Sequence, residues 1–288
     1  MNAILRTFKR PRVLLPVVHC VEIGQAQTAV AIAMEQGADG VFLINQGGVS
    51  ASRVVDLAEA AVRCGVPFVG VNLLGRCLGD ALDDIAGRGV VHALWTDNGG
   101  VYVNRGHVVD DQAVAFTDAR KKSGWGGLHF GGVAFKYQDL VALGAAGDVA
   151  LAAKDAGIEV VTTSGPGTGE PPTVEKVSTM RAAIGDHALA VASGITPENV
   201  GSFLPYVDAF LVATGIEESF GVFDSGKVRA LADQIHAEDK SYQRYRFLAS
   251  SPYRTDEEER EIRALRETHR ARHGRDPGFE DIATREGT

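Results

Sequence analysis

The sequence predicts a (β/α)8, TIM-type barrel of the α/β class. Short apolar, β-branched runs alternate with helical segments eight times between residues 13 and 237. The runs are nearly continuous in apolar residues, as strands buried on both faces of a parallel sheet must be. Glycine makes up 34 of 288 residues with no fixed period, which marks many tight turns and close backbone approaches. A doubly wound open sheet is the alternative assembly of such units, but eight of them in one stretch favour closure.

The strands are expected over 13–18, 41–45, 68–73, 91–96, 128–135, 159–163, 188–192 and 209–213. The helices that follow are expected over 28–36, 51–64, 78–87, 111–122, a segment ending near Ala156, 174–184, a short helix from Pro197, and 225–237. Gly37, Gly65, Gly87, Gly157 and Gly185 fall where helices end, the usual place for a glycine C-cap. Val101-Tyr102-Val103 and His107-Val108-Val109 flank Asn104-Arg105-Gly106 and predict a hairpin, either a lid over the mouth or a dimer contact.

Residues 1–239 form the predicted barrel domain, and 240–288 a charged helical extension. The extension carries 11 Lys/Arg and 10 Asp/Glu, leaving 18 and 27 for the barrel, a charge of −9. Thr255 is the expected N-cap of a helix opened by Asp256, Glu257 and Glu258. Ile262 and Leu265 give it a thin apolar stripe, with Phe247, Tyr253 and Phe279 as candidate anchors on the barrel or on a second subunit.

The net charge of −8 and the lack of a basic stripe in the barrel argue against a nucleic-acid partner. No apolar run reaches the ~18 residues of a membrane span, and the basic N-terminus lacks the apolar region of a secretory signal. Cys20, Cys64 and Cys77 show neither a disulfide framework nor a metal-ligand spacing. A cytoplasmic protein, without metal or cofactor and forming a homo-oligomer, is the expectation.

In such barrels the active site lies at the strand C-termini. The polar residues there are His19, Cys20 and Glu22; Asn45 and Gln46; Asn72 and Arg76; Asp97 and Asn98; Lys136 and Tyr137; 164–170; Ser193 and Gly194; and Thr214 and Gly215. Ser193-Gly194-Ile195-Thr196-Pro197-Glu198-Asn199 predicts a capped helix whose free N–H groups face the mouth and favour an anion. Thr214 and Gly215 allow a ligand to approach from the opposite side. Glu217 and Glu218 oppose a phosphate there unless they point away. The long loop Ser164-Gly165-Pro166-Gly167-Thr168-Gly169-Glu170-Pro171-Pro172 exceeds an ordinary βα connection and suggests ligand contact.

Lys136 is either a fixed cation, paired with Asp97 or a substrate anion, or an imine-forming nucleophile or base. His19 with Asp97 is a plausible acid–base pair. Cys20 is expected to be a buried, inert thiol.

Val18-His19, 41–45, Gly70-Val71, Thr96-Asp97 with Gly99, 133–136, the sixth-strand loop and Ser193-Gly194-Ile195-Thr196-Pro197-Glu198-Asn199-Val200 resemble the BtpA/SgcQ family. The likeness spans residues 10–238, and the seventh-strand loop alone also resembles the phosphate loops of phosphoribosyl-anthranilate-isomerase-type barrels. The resemblance implies a TIM barrel from a family linked to photosystem I biogenesis. It implies a shared site of His19, Asn45, Asp97, Lys136, Gly165, Thr168, Gly194 and Asn199. The chain departs from that pattern at Tyr137, where the family usually has His, and at Glu217 and Glu218, where it often has lysines. It also has Cys20-Val21-Glu22 in place of a proline-rich stretch.

The expected function is that of an enzyme acting on a small phosphorylated or ribosyl-containing metabolite, by lyase, isomerase or glycosyl-transfer chemistry. His19, Asp97 and Lys136 are the candidate catalytic residues. Asn45, Asn72, Ser164, Gly165, Thr168, Gly169, Ser193, Gly194, Asn199, Thr214 and Gly215 are the candidate ligand contacts. The alternative is a non-catalytic assembly or regulatory protein that keeps a ligand pocket and uses its tail as a partner surface.

Overall fold

The computed structural model describes residues 2–46, 48–138, 141–237, 239–250 and 253–273. Eight parallel strands close into a barrel: β1 (Val13–His19), β2 (Val41–Ile44), β3 (Val69–Asn72), β4 (Ala93–Thr96), β7 (Leu128–Gly132), β8 (Val160–Ser164), β9 (Ala188–Ala192) and β10 (Ala209–Val212). Val13 of β1 pairs with Ala209 of β10, and Val17 with Phe42 of β2, so β1 closes the ring from both sides. Helices α2 (Ile23–Glu35), α3 (Ala51–Arg63), α4 (Leu78–Ala86), α5 (Asp111–Ser123), α6 (Leu143–Asp155), α7 (Val174–Ile184) and α8 (Ser225–Ile235) form the outer layer.

Strand alternation separates two cores. Leu14, Val18, Leu43, Val71 and Leu94 face outward and pack on helix residues such as Ala29, Val55 and Ile85. Leu15, Val17, Phe42, Trp95, Phe130 and Leu211 fill the barrel. Phe42 touches Phe130 edge-on, with centroids 5.0 Å apart. Each such fully buried side chain contributes about 1.5–3 kcal/mol of transfer free energy.

The sequence does not signal α1 (Ala3–Phe8), which plugs the N-terminal end of the barrel. Its Ile4 joins the interior core, while Leu5 joins the C-terminal helices α9 (Asp239–Ser250) and α10 (Asp256–His273). The anchors of these helices are Tyr242, Tyr245, Leu248 and Ile262. Phe247 and Tyr253 are 67% and 89% exposed and lie outside this buried cluster, and Phe279 lies outside the described residues. The tyrosines recur at helical spacing on the buried face of α9, which explains why they serve instead. Thr255 caps α10 as expected: its Oγ1 accepts from the Glu258 N–H at 3.2 Å, and Glu258 accepts from the Thr255 N–H at 2.8 Å.

Other differences lie near the mouth. Helix α2 begins at Ile23, five residues earlier than expected. β7 ends at Gly132 because Ala134 and Tyr137 turn to φ 46° and 62°. No α-helix follows Pro197; a single 3-10 turn, Val200–Ser202, stands in its place. An unexpected hairpin, β11 (Glu217–Ser219) and β12 (Val222–Phe223), follows β10. The expected hairpin forms as β5 (Tyr102–Asn104) and β6 (His107–Val109), with positive φ at both Arg105 and Gly106. No described helix is long and apolar enough to cross a membrane.

Candidate active site

Inward parity on the strands brings His19, Asn72, Asp97 and Ser164 to the C-terminal mouth, in line with the interior residues Val17, Gly70, Trp95 and Thr162 below them. Asn72 is 2% exposed and donates through Nδ2 to Asp97 Oδ1 at 2.8 Å. Burial raises the Asp97 carboxyl above its ordinary range, opposed by this hydrogen bond and by the positive charge of Lys136. A cavity of about 600 Å³ opens beside this pair, over the ends of β3 and β4 and between α4 and α5. Trp95 lines it and is 3% exposed, and its Nε1 has no hydrogen-bond partner among the described residues.

His19 meets a different carboxylate from the one expected. Its Nε2 lies 3.7 Å from Glu217 Oε1, while Asp97 is engaged with Asn72. Phe220, at the tip of the β11–β12 hairpin, covers the imidazole at 4.5 Å between centroids. Burial lowers the proton affinity of His19, Gln46 raises it by hydrogen bonding, and the charge of Lys136 lowers it further. Burial raises that of Glu217, opposed by a hydrogen bond from the Gly221 N–H. Glu217 is thus turned into its own hairpin, and Glu218 is exposed.

Lys136 acts electrostatically on both His19 and Asp97. The expected ion pair with Asp97 does not form: no described carboxylate lies within 4.0 Å of Nζ. The ammonium instead lies 5.8 Å from the Phe135 ring and 5.9 Å from that of Tyr137. Its backbone N–H donates to Ser164 Oγ at 2.8 Å, and Ser164 in turn donates to the Gly165 carbonyl, so the Ser164 hydroxyl is occupied within the scaffold.

The loops after β8, β9 and β10 interlock. A Cβ on Gly194 would lie 2.0 Å from Pro171 N, one on Gly165 2.2 Å from the Glu170 carbonyl, and one on Gly215 1.8 Å from the Ile195 carbonyl. The space at these glycines is therefore filled by neighbouring backbone. Asn199 bridges its own loop, accepting from the Thr196 N–H at 2.9 Å and donating to the Gly194 carbonyl at 2.8 Å. Asn45 is likewise engaged, on the backbone N–H and carbonyl of Leu74. The expected helix N-terminus after β9 is absent, and with it the dipole that was to attract an anion. Thr168 meets the Tyr137 hydroxyl at 3.1 Å. Gly169 lies beside Thr214, and Ser193 takes φ 75° at the edge of the mouth.

Cys20 is 2% exposed and its thiol is pushed up to about 12 by burial, which makes it inert. Sequence reasoning missed three residues. Gln138 donates to the Asp97 and Gly132 carbonyls and accepts from the Phe135 N–H, holding the fifth loop. Lys176 donates to the carbonyls of Ala134 and Ser164, and burial lowers it to about 8. Glu217 was noticed only as an obstacle to a phosphate. The described residues contain no group of three or more His, Cys, Asp or Glu placed to hold a metal ion.

No family model matches the chain, and no curated protein matches it. Solved structures do match. (S)-3-O-geranylgeranylglyceryl phosphate synthase from Thermoplasma acidophilum, in complex with sn-glycerol-1-phosphate, aligns with TM-score 0.58 and 17% identity over 82% of this chain and 98% of that one. Tryptophan synthase from M. tuberculosis aligns with TM-score 0.56 and 15% identity over 82% and 98%. Phosphoribosyl anthranilate isomerase from Thermus thermophilus aligns with TM-score 0.51 and 15% identity over 77% and 98%. These likenesses establish the fold. The chain is a TIM barrel.

Chemically, the mouth offers two groups shifted toward neutrality, His19 and Asp97, both within electrostatic reach of an ammonium that has no ion-pair partner among the described residues. Such an arrangement suits proton transfer to and from a bound anion.

Proposed function

We propose that the chain is an enzyme that binds a small anionic metabolite, phosphorylated or ribosyl-containing, at the barrel mouth. On this reading Lys136 holds the anion while His19 and Asp97 move protons, as in lyase, isomerase or glycosyl-transfer chemistry. The observation that carries it is the Lys136 ammonium in the mouth with no carboxylate within 4.0 Å among the described residues. Two structural neighbours, a synthase in complex with its substrate sn-glycerol-1-phosphate and a phosphoribosyl anthranilate isomerase, favour the same ligand class. The BtpA/SgcQ resemblance belongs to this proposal, as do a cytoplasmic setting and a homo-oligomer. So do the remaining ligand contacts at Asn72, Thr168, Gly169, Ser193 and Thr214. Asn45, Ser164, Gly165, Gly194, Asn199 and Gly215 act on this reading through the shape of the loops.

The test is a thermal-shift screen of the full chain against sugar phosphates, nucleotides, nucleosides and inorganic phosphate. A ligand at 100 times its Kd adds about 2.7 kcal/mol, a rise of roughly 5–10 °C for a domain of this size. Lys136→Met is expected to weaken a hit at least tenfold. Equal shifts in the variant, or none in the wild type with any anion, sink the proposal.

The non-catalytic alternative has one observation in its favour, the backbone filling of the three loop glycines. Under it, deleting 240–288 abolishes function and Lys136→Met spares it. We also propose that 240–288 is an extension separable from the barrel. A chain ending at residue 239 is then expected to unfold cooperatively in circular dichroism, a few degrees lower, because Leu5 loses Tyr242, Tyr245 and Leu248.

A further inference from the structure

The cavity beside Asp97 has two chemically different walls. The strand ends give it a polar one, Asn72 and Asp97 hydrogen-bonded to each other, with Thr96. The helices give it an apolar one. Ala115, Phe116 and Ala119 follow Gln112 at intervals of three and four along α5 and so form one stripe. Leu78, Gly79 and Ala81 line it from α4, and Leu73 and Leu74 from the third loop.

Small residues create this space without closing it. On the seam between α6 and α7, a Cβ on Gly147 would stand 3.3 Å from the Ala183 Cβ, so small residues there let the helices close up. Beside the cavity, a Cβ on Gly75 or Gly79 meets nothing within 4 Å. The 600 Å³ so left is of the size of small-molecule sites, about 300–1,000 Å³. The third loop is held in place by Asn45, which donates to the Leu74 carbonyl at 3.2 Å and accepts from its N–H.

The charges of the lining do not favour an anion inside. Arg76 is turned onto Asp84 of its own helix, Nε to Oδ2 at 2.8 Å, and Asp97 repels a negative group. Lys136 does not line the cavity, but its charge reaches Asp97, which does. A second apolar groove, between α2 and α3, is lined by Ala31, Met34, Leu57 and Cys64 among others and includes none of the candidate site residues. The α4–α5 cavity is continuous with the mouth.

We propose that this cavity is a subsite for a hydrocarbon arm of the ligand, attached to an anionic head that stays outside it at Lys136. Ala115, Ala119 and Gly79 set the length of arm that fits. The inference deepens the proposed function and rests on it only for the placement of the head.

The test is calorimetric titration of the full chain with methyl, butyl and octyl phosphate, each below its micelle concentration, and with 1-octanol. In the wild type, affinity is expected to rise about three- to fourfold per methylene buried. Ala115→Leu and Ala119→Leu fill the cavity from exposed turns of α5, where leucine preserves the helix. Each is expected to weaken octyl phosphate about tenfold and to leave methyl phosphate unchanged. Ala31→Leu, in the groove between α2 and α3, is expected to change neither. The uncharged 1-octanol is expected to bind the wild type and Lys136→Met alike and to be weakened by Ala115→Leu. Affinity independent of chain length overturns the subsite. So does a chain-length dependence that both α5 variants leave intact or that Ala31→Leu removes, and so does an absence of binding by both octyl phosphate and 1-octanol. If methyl phosphate binds through Lys136 and longer chains add nothing, the subsite fails and the anion reading stands. If Lys136→Met leaves octyl phosphate unchanged while Ala115→Leu weakens it, the anion reading fails and the subsite stands.

Discussion

Replacing Gly194 by alanine is expected to cost about 2–4 kcal/mol, with a fall in Tm of roughly 5–15 °C. Two costs combine. Gly194 has φ 68°, a conformation that L side chains adopt at a penalty, and its Cβ would stand 2.0 Å from Pro171 N and 2.3 Å from the Glu170 carbonyl carbon. Those atoms are backbone of the neighbouring loop, which a rotamer change cannot clear. The loop after β8 must then lift from the loop after β9. Gly144→Ala is the control: its Cβ meets nothing within 4 Å in the first turn of α6, so the change is neutral or stabilising. Thermal unfolding of both variants decides the matter. A Gly194→Ala protein that melts within about 2 °C of the wild type and loses only ligand binding would mean that ligand, not backbone, claims that space.

That contrast marks where the sequence was legible. The eight strands were readable because parallel strands buried on both faces are written as unbroken apolar runs such as Val13 to Val18 and Ala188 to Ala192. Thr255 and Glu258 likewise spelled a capping box in local sequence. The mouth was legible only in part. His19, Asp97 and Lys136 could be placed there because strand ends are predictable, but their partners could not. Whether His19 meets Asp97 or Glu217 depends on a hairpin 200 residues away whose strands are three and two residues long, too short to leave a periodic signal. Glycines in the sixth, seventh and eighth loops announce close approach, yet a sequence does not say whether a ligand or another loop approaches. The helix expected from Pro197 failed for a similar reason. The residues of a good N-terminus are present, but the Asn199 side chain closes the turn on Thr196 and Gly194.

The acid limb of stability is expected to belong largely to His129. This residue is 1% exposed on the outward face of β7, with Nε2 2.9 Å from Thr96 Oγ1, the Phe116 ring at 4.5 Å, and Nδ1 without a partner among the described residues. Burial, with the nearby Arg120 charge, pushes it down to about 3 from an ordinary value of 6.5. Between these two values the unfolded chain binds a proton that the folded chain does not. The contribution is therefore complete above pH 6.5 and is lost as pH falls toward 3, at about 1.4 kcal/mol per unit. At pH 4.5 this amounts to about 2–3 kcal/mol. Asp97 and Glu217 work in the opposite sense, because a carboxyl raised by burial binds its proton more readily in the folded state. Acid loss in the face of that gain must come from a group such as His129. His129→Gln keeps a polar group near Thr96 and removes the titration. Its urea midpoints, compared with those of the wild type from pH 7 to 4, are expected to differ most at neutral pH and to converge on acidification. Parallel curves would assign the acid limb elsewhere.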